Sequence, residues 1–215
     1  LLLARFELEQ AQRAAEVERR HRLALAETNR ALEATDRQNR ELLARLQRQT
    51  ERLREQAIRD VLTGLYNRRY AERQLRRAFT RSRRYARPLS VALADLDNFK
   101  GINDTFSHAV GDRVLRAVAD LARAQLRPAD TAARYGGEEF VLILPETDAA
   151  GARALAERLR LAVSAYPWAA LHPDLRVTLS VGLCSDPASP SYERLLGAAD
   201  ENLYAAKGGG KNRVV

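Results

Sequence analysis

The sequence predicts an α/β (α+β) protein, in which a central, mainly antiparallel sheet is covered by helices and preceded by a long coiled-coil helix. Residues 1–57 contain no glycine and no proline, and they are rich in alanine, leucine, glutamate, glutamine and arginine, which favour helices. After residue 59, runs with strand character alternate with runs of helical periodicity. We therefore divide the chain into a coiled-coil helix, residues 1–58, and a compact domain, residues 59–215.

The N-terminal helix has one apolar seam and one mostly polar seam. The first seam recurs every seven residues at Leu25, Leu32, Asn39, Leu46 and Leu53. The second lies three positions later at Thr28, Thr35, Leu42, Gln49 and Gln56. This heptad predicts a marginal two-stranded coiled coil, in which an asparagine on the seam favours in-register pairing. A lone solvated helix, or one that docks on a partner, is the alternative that the weak second seam leaves open.

The elements of the compact domain can be placed in order. Gly64 breaks the helical periodicity, and Asn67 is suited to cap the next helix, which carries many arginines. The periodicity then predicts a strand, a helix, a hairpin, a helix, a strand and a last helix. Their ranges are 88–97, 109–126, 134–144, 148–165, 175–184 and 192–207.

The composition limits the classes of protein. With 46% hydrophobic and 30% charged residues, the chain fits a soluble globular protein. No run of about 18 apolar residues occurs, so we expect no membrane span and no signal peptide. The single cysteine, Cys184, excludes an internal disulfide and favours the cytoplasm. The chain has no methionine, so we expect a fragment of a longer protein.

The formal charge of +8 is concentrated on one predicted helix. Residues 67–87 contain nine arginines and one acidic residue, Glu72. A solvated helix face is the commonest explanation of such a run. A nucleic-acid surface is less favoured, because the aromatics are restricted to Tyr70, Phe79 and Tyr85 and no nucleic-acid motif accompanies them. We expect no nucleic-acid partner, although a small nucleotide would use the same charge.

Two adjacent carboxylates, Glu138 and Glu139, follow the glycines of the hairpin. Gly136 and Gly137 are expected to supply the positive φ angles of a tight turn, but this does not explain the acids. Adjacent glutamates repel each other, so a cation is expected nearby if they are partly buried. A solvated loop is the commoner setting of such a pair.

The strand before the hairpin also ends in carboxylate side chains. Asp95 and Asp97 lie two residues apart and therefore on one face of the chain. If this strand neighbours the hairpin, Asp95 and Glu138 converge. Carboxylates in that number suit Mg²⁺, which leaves its other positions to water and substrate phosphates.

Together, five segments resemble the GGDEF-domain family of diguanylate cyclases, bacterial enzymes that join two GTP molecules into cyclic di-GMP and release two pyrophosphates. The segments are DVLTGLYNRR (60–69), DLDNFKGINDTFSHAVGD (95–112), RYGGEEF (134–140), VTLSVG (177–182) and ADENLYAAKGGGKN (199–212). They occur in the family's order and spacing, and the resemblance does not cover the coiled coil. It implies that residues 59–215 form a catalytic domain related to nucleotide cyclase and polymerase palm domains, in a cytoplasmic bacterial protein.

The resemblance implies a site for GTP with Mg²⁺ or Mn²⁺. Asp95, the backbone carbonyl of Leu96 and Glu138 would hold the metal. Glu138 would also accept the proton of the ribose 3′-hydroxyl, and Glu139 would support the metals or the substrate. The implied substrate contacts are Asn103 and Asp112 to guanine, His108 beside them, the backbone near Phe99 and Lys100, and Lys207 to the triphosphate.

One such domain binds one GTP, so the resemblance implies a homodimer in which the coiled coil brings two half-sites together, under the control of an upstream sensor domain. The segment RPAD (127–130) matches the family's R-x-x-D inhibitory site for cyclic di-GMP. Arg127 and Asp130 would bind the product, Arg158 would complete the site, and Arg81 would clamp product from a second domain. Arg127 as a simple helix cap is the alternative.

Two residues depart from the family pattern. Ser107 replaces a glycine before the histidine, which matters if that backbone requires a positive φ. Lys211 replaces an arginine, which keeps the charge but loses the bidentate fork for phosphate, so weaker GTP binding is expected. A catalytically inactive domain that acts as a GTP or cyclic di-GMP receptor is the rival interpretation. The retained acidic residues, Asp95 and Glu138 among them, favour the enzyme.

Overall fold

The computed structural model describes residues 2–185 and 188–215, and it describes no side chains for residues 2–8, 31 and 52–54. The heptad position Leu53 therefore lies outside the described side chains. The chain forms two compact units, divided between Arg54 and Glu55. In the described residues, no helix is both long and apolar enough to cross a lipid bilayer.

The first unit is helical. Helix α1 spans Leu2–Ile58, which confirms the predicted long helix. Ion pairs one turn apart support it, among them Glu16 with Arg20 and Asp36 with Arg40, each at 2.7 Å. The seam residues Leu25, Leu32 and Leu46 are 62%, 67% and 50% exposed in the single chain.

The second unit is a five-stranded sheet with helices on both faces. The strands lie in the order β1-β3-β4-β2-β5, and all pairs are antiparallel except β1 with β3. This confirms the predicted mainly antiparallel sheet. The elements are β1 (Tyr66–Asn67), α2 (Arg68–Tyr85), β2 (Leu89–Leu96), α3 (Phe99–Phe106), α4 (His108–Gln125), β3 (Thr131–Arg134), β4 (Glu139–Pro145), α5 (Ala149–Ala165), β5 (Leu179–Cys184) and α6 (Tyr192–Gly208).

The central strand β2 is buried along its whole length because its two faces meet two different cores. Ala92 and Ala94 pack into a cluster with α3, α4 and α5, whereas Val91 and Leu93 pack into a cluster with α2 and α6. Such a strand reads as a continuous apolar run, which is why periodicity located it. Its last residues emerge from this core beside the hairpin.

The predicted strand 175–184 is wrong in its first half. Leu175 and Val177 are buried, but the strand begins only at Leu179. The carbonyl of Thr178 instead accepts a hydrogen bond from the backbone N–H of Asp97 just beyond the end of β2, at 3.0 Å. Burial alone made these residues resemble a strand, because an apolar run does not reveal hydrogen-bond partners.

Candidate functional site

The hairpin tip lies against the end of β2. Strands β2 and β4 pair antiparallel with Asp95 opposite Glu139. The backbone N–H of Leu96 donates to the carbonyl oxygen of Glu138 at 3.4 Å. The structure thus brings together the three residues that the resemblance assigns to the metal, Asp95, Leu96 and Glu138.

Lys207, in the last turn of α6, is a cation of the kind that the sequence analysis expected near Glu138 and Glu139. Its Nζ lies 2.8 Å from Oδ2 of Asp95, whose side chain is 5% exposed. Burial raises the pKa of Asp95 above its usual value, although Lys207 acts in the opposite direction. Burial and then the charge of Asp95 raise the pKa of Glu138 as well. One ammonium group therefore leaves these carboxylates incompletely neutralised, which favours a further cation.

The carboxylate and carbonyl oxygens at this point fit Mg²⁺ or Mn²⁺. In the described residues, no three histidine, cysteine, aspartate or glutamate side chains come together as a metal-binding group. Two carboxylates and a backbone carbonyl are hard oxygen donors, and Mg²⁺ typically takes one or two protein carboxylates and completes its shell with substrate phosphates and water. Asp95, Leu96 and Glu138 are the residues that would hold the ion.

The explanation of the hairpin glycines from turn geometry is wrong. Positive φ angles among glycines occur at Gly64 and Gly210 in the described residues, and not at Gly136 or Gly137. A Cβ on Gly136 would instead lie 2.3 Å from Oε2 of Glu139. In the structure, the Glu139 carboxylate folds back over the turn into the space that a Cβ of residue 136 would take.

An arginine that the sequence analysis did not assign secures this turn. The Nε and Nη2 of Arg134 donate to the carbonyl oxygen of Gly137 at 3.0 and 2.6 Å. Its Nη1 reaches both carboxylate oxygens of Asp60 at 3.4 Å. Asp60 also accepts hydrogen bonds from the backbone N–H and the hydroxyl of Thr63. Asp60 and Arg134 both lie in quoted motif segments, but only the fold shows that they meet.

The residues that the resemblance assigns to guanine lie at the junction of α3 and α4. A Cβ on Gly111 would come within 2.0 Å of Oδ1 of Asn103, so this glycine admits the Asn103 amide against α4. Asp112 follows Gly111 directly, and its side chain is partly exposed. His108 is the exposed first residue of α4. An amide and a carboxylate are thereby held side by side.

Two further residues implied by the resemblance lie at the start of α3. Phe99 is 6% exposed and belongs to the core, whereas Lys100 is exposed. Asn98, the N-cap residue, has a left-handed backbone and makes no side-chain hydrogen bond to the helix. Backbone N–H groups of the first turn are available to an anion in that arrangement.

Asp97 has a different role from Asp95. Its carboxylate accepts hydrogen bonds from the hydroxyls of Thr178 and Ser180, both at 2.6 Å, and from the backbone N–H of Asn212 at 3.0 Å. Asn212 and Lys211 both have positive φ angles, 46° and 62°. Asp97 therefore fixes a tight turn that follows Lys207, and Lys211 in that turn lowers the pKa of Asp95.

The R-x-x-D segment forms a closed turn beyond α4. The backbone N–H of Arg127 donates to Oδ2 of Asp130 at 2.9 Å, and the Asp130 N–H donates back to the Arg127 carbonyl at 3.0 Å. The C-cap of α4 is Leu126, so Arg127 is not the cap residue. Arg158 donates to Gln125 at 3.3 Å, which brings it to the same end of α4.

Arg81 lies apart from Arg158, on α2. It is 3.6 Å from Glu146 and lines a cavity of about 300 Å³ that Ala129, inside the R-x-x-D turn, also lines. It therefore faces the same turn from the other side.

Comparison with known proteins identifies the class. A family model described as diguanylate cyclase, GGDEF domain, matches residues 57–213, so the chain belongs to the GGDEF family. Response regulator PleD of Caulobacter vibrioides is 45% identical over 164 residues, which are 75% of this chain and 36% of PleD. The chain thus spans about a third of that relative's length.

Solved structures resemble the chain as well. The coiled coil and GGDEF domain of DgcB from Caulobacter crescentus, in complex with c-di-GMP, is 34% identical with a TM-score of 0.79, covering 86% of this chain and 98% of that one. The active GGEEF domain of a diguanylate cyclase from Vibrio cholerae is 35% identical with a TM-score of 0.66, covering 69% and 94%. The similarity to DgcB extends into the N-terminal helix, because its coverage exceeds the length of the compact unit.

Proposed function

We propose that the chain is a diguanylate cyclase, which condenses two GTP molecules into cyclic di-GMP and two pyrophosphates. The observation that carries this proposal is the meeting of Asp95 and Glu138 beside Lys207, at the end of a strand and past a glycine turn. Membership of the GGDEF family supports it. The Vibrio cholerae neighbour, described as an active GGEEF domain, supports glutamate at position 138.

The proposed reaction is an in-line displacement that takes place twice, once at each GTP, so that two pyrophosphates leave. The 3′-oxygen of one GTP forms a bond to the α-phosphorus of the other, the bond to the β-phosphate oxygen breaks, and pyrophosphate leaves. Glu138 accepts the 3′-hydroxyl proton, a role that suits a carboxyl whose pKa is raised by burial. Lys207 contacts the triphosphate, and Glu139 supports the site. When bound by Asp95, Leu96 and Glu138, Mg²⁺ or Mn²⁺ supplies positive charge for the transferring phosphoryl group.

Guanine is selected by hydrogen bonds. The Asp112 carboxylate accepts from the N1 and N2 hydrogens of guanine, a pattern that adenine lacks, and Asn103 beside it can both donate and accept. A site built for such bonds rejects a base that leaves them unmade. GTP is therefore the expected substrate, and ATP is not.

Two copies must face each other, because each domain supplies one half-site. The exposed leucine seam of α1 is the surface that pairs them, and this pairing raises the effective concentration of one half-site at the other. The neighbour that shares coiled coil and GGDEF domain supports this arrangement. An upstream sensor domain acting through the seam belongs to the same proposal.

The proposal includes inhibition of the enzyme by cyclic di-GMP bound at the R-x-x-D turn. Arg127, Asp130 and Arg158 lie around one end of α4, and Arg81 lies across a cavity from the turn. Steady-state rates should fall as product is added to the wild type, whereas Arg127→Ala should resist inhibition. Equal inhibition of both proteins by cyclic di-GMP would contradict the proposed inhibitory site.

Product analysis tests the main proposal. The full chain is incubated with GTP and Mg²⁺, and nucleotides are separated by ion-exchange chromatography. We expect cyclic di-GMP and pyrophosphate in a ratio of one to two. Glu138→Gln, which keeps the shape of the side chain and removes its charge, should form neither. Tight binding of GTP or cyclic di-GMP without turnover would instead establish the rival function, an inactive receptor domain.

A further inference from the structure

The outer face of α2 carries a dense set of cations that the proposed reaction does not use. At 3.6 residues per turn, seven of its arginines fall within about 160° of the helix circumference. All seven are exposed: Arg69, Arg73, Arg76, Arg77, Arg81, Arg83 and Arg84. We call these residues the arginine face. The one acidic residue of the helix, Glu72, lies beside this face and pairs with Arg68 at 2.8 Å.

Most of this charge is not balanced by the protein. Arg81 reaches Glu146 at 3.6 Å. Five others form no ion pair with a carboxylate in the part of the chain that the structure describes: Arg69, Arg73, Arg76, Arg77 and Arg84. Like charges three and four positions apart destabilise a helix. A face that bears this cost with only partial compensation, from Glu146 beside Arg81 and Glu193 near Arg76, is suited to an external anion.

The helix that carries the arginine face is anchored to the rest of the domain. Helix α2 buries Ala71 and Leu75 against the sheet, and the Asn67 side chain caps its first turn. Neighbouring loops lie on both sides: Glu146 pairs with Arg81 on one, and the Ser189 carbonyl accepts from Arg83 on the other. These contacts hold the helix to the elements beside it.

We propose that the arginine face docks the protein on a membrane surface that contains anionic phospholipids. Lipid phosphates are laterally mobile and can gather against guanidinium groups arrayed along an anchored helix, and each guanidinium can bind phosphate through two parallel N–H bonds. Tyr85, 57% exposed at the end of the helix with Arg84 stacked 5.4 Å from its ring, is the kind of aromatic residue that lies at lipid headgroups.

Single-stranded nucleic acid fits this face less well. Base stacking requires accessible aromatic rings between the cations. Tyr70 is already stacked on Tyr66 at 4.0 Å, and Phe79 is packed against the core. Duplex DNA would meet the same phosphate-binding groups, so it enters the test as a competing outcome.

Vesicle co-sedimentation of the full chain tests the proposal. We expect binding to phosphatidylcholine vesicles that contain phosphatidylserine, no binding to phosphatidylcholine alone, and release at high salt. Replacing Arg69, Arg73 and Arg84 together with glutamine should weaken binding roughly a hundredfold, because each arginine near an anionic surface strengthens it about fivefold. Arg81 is left unchanged because it belongs to the proposed product site.

A matched triple variant separates the arginine face from net charge. Arg116, Arg153 and Arg176 are exposed on other parts of the domain, and their replacement with glutamine removes the same charge. The fold-loss of vesicle binding in this variant should be less than a tenth of the fold-loss in the α2 variant. Circular dichroism and cyclic di-GMP formation without vesicles should be the same for both. Equal loss in the two variants, unchanged binding in the α2 variant, or tighter binding to duplex DNA than to anionic vesicles would overturn the proposal.

Discussion

Ser107, between α3 and α4, has a backbone conformation that glycine adopts far more easily. Its φ of 90° and ψ of 157° lie in a region that is essentially restricted to glycine, and its side chain makes no capping hydrogen bond. The condition under which this departure from the family pattern matters is therefore met. The strain lies at the junction that holds Asn103 and His108.

Ser107→Gly should stabilise the protein. Relief of about 1–3 kcal/mol of strain is partly offset by the larger backbone entropy of unfolded glycine, which leaves a net gain of about 1 kcal/mol. Thermal unfolding followed by circular dichroism should show a midpoint about 2–4 °C higher. Ser164→Gly, in the ordinary helix α5, should lower it instead. If the thermal unfolding midpoint falls in both variants, the backbone at Ser107 is not strained.

The Asp60 carboxylate should contribute stability that depends on pH. Burial alone would raise its pKa, but hydrogen bonds from Thr63 and the charge of Arg134 outweigh burial and lower the pKa below its ordinary 3.8. A lowered pKa means that, as the pH falls, the folded state becomes protonated at a lower pH than the unfolded state does. The stabilisation is therefore complete above about pH 5 and is lost as pH falls below 3.8.

Urea unfolding of wild type and Asp60→Asn at several pH values checks this sign. The wild type should have the larger free energy of unfolding at neutral pH, and the difference should shrink as the pH falls below the ordinary value of 3.8. A difference that stays constant or grows on acidification would show that the hydrogen bonds from Thr63 and the charge of Arg134 do not lower the pKa of Asp60.

At the scale of elements, three segments build the site: the end of β2, the β3–β4 hairpin and the turn after α6. Asp97 links the first to the third through Asn212, and Arg134 links the hairpin to the segment before β1 through Asp60. Neither link touches the proposed reacting atoms. Both residues therefore act by position.

Asp97→Asn should weaken GTP binding more than it slows the chemical step. An amide cannot accept from both hydroxyls and the Asn212 N–H as the carboxylate does, so the turn that carries Lys211 loosens. We expect KM for GTP to rise roughly tenfold with a smaller change in kcat. Thr178→Val, which removes one donor and keeps the carboxylate, should show a lesser effect. A fall in kcat at unchanged KM would contradict this positioning role.

The elements that the sequence predicted well are those whose own residues determine them. Helices α4, α5 and α6 have apolar stripes of their own, and Asn67 caps α2 through a local bond to the Tyr70 N–H at 3.0 Å. Strand β1 has only two residues and pairs with β3, which begins 64 positions further along the chain. Residues 213–215 hydrogen-bond alongside β5. Pairing at that separation leaves no periodic signal in either segment.

The same limit applies to the site. Asp95 and Glu138 were predicted to converge because each ends or begins a strand, and the pairing of β2 with β4 brings them together. The Asp60–Arg134 pair, by contrast, joins two residues whose contact no spacing rule indicates. The contact of Gly136 with Glu139 also depends on where Glu139 folds, which local turn preferences do not specify.

For the whole molecule, the central feature is a leucine seam that lies exposed in one chain. Replacing the polar seam residues Thr28, Thr35, Asn39 and Gln49 with leucine should strengthen the proposed dimerisation at least about tenfold and raise the rate per chain at low concentration. Sedimentation velocity and product formation measure the two effects. Ala26→Leu with Gln47→Leu, outside both seams, is the control. Unchanged association and turnover would contradict the proposal that pairing of the coiled coil controls the rate of product formation.

A double-mutant cycle on Asp95→Asn and Glu138→Gln tests most directly whether the two acids share one metal-dependent task. Cyclic di-GMP formation at saturating GTP and Mg²⁺ is measured for the wild type, the two single variants and the double variant. If both carboxylates serve one ion, each single change removes nearly all activity and the double variant is no worse than the poorer single variant. Losses that multiply across the cycle, or substantial turnover in either single variant, would contradict the shared site.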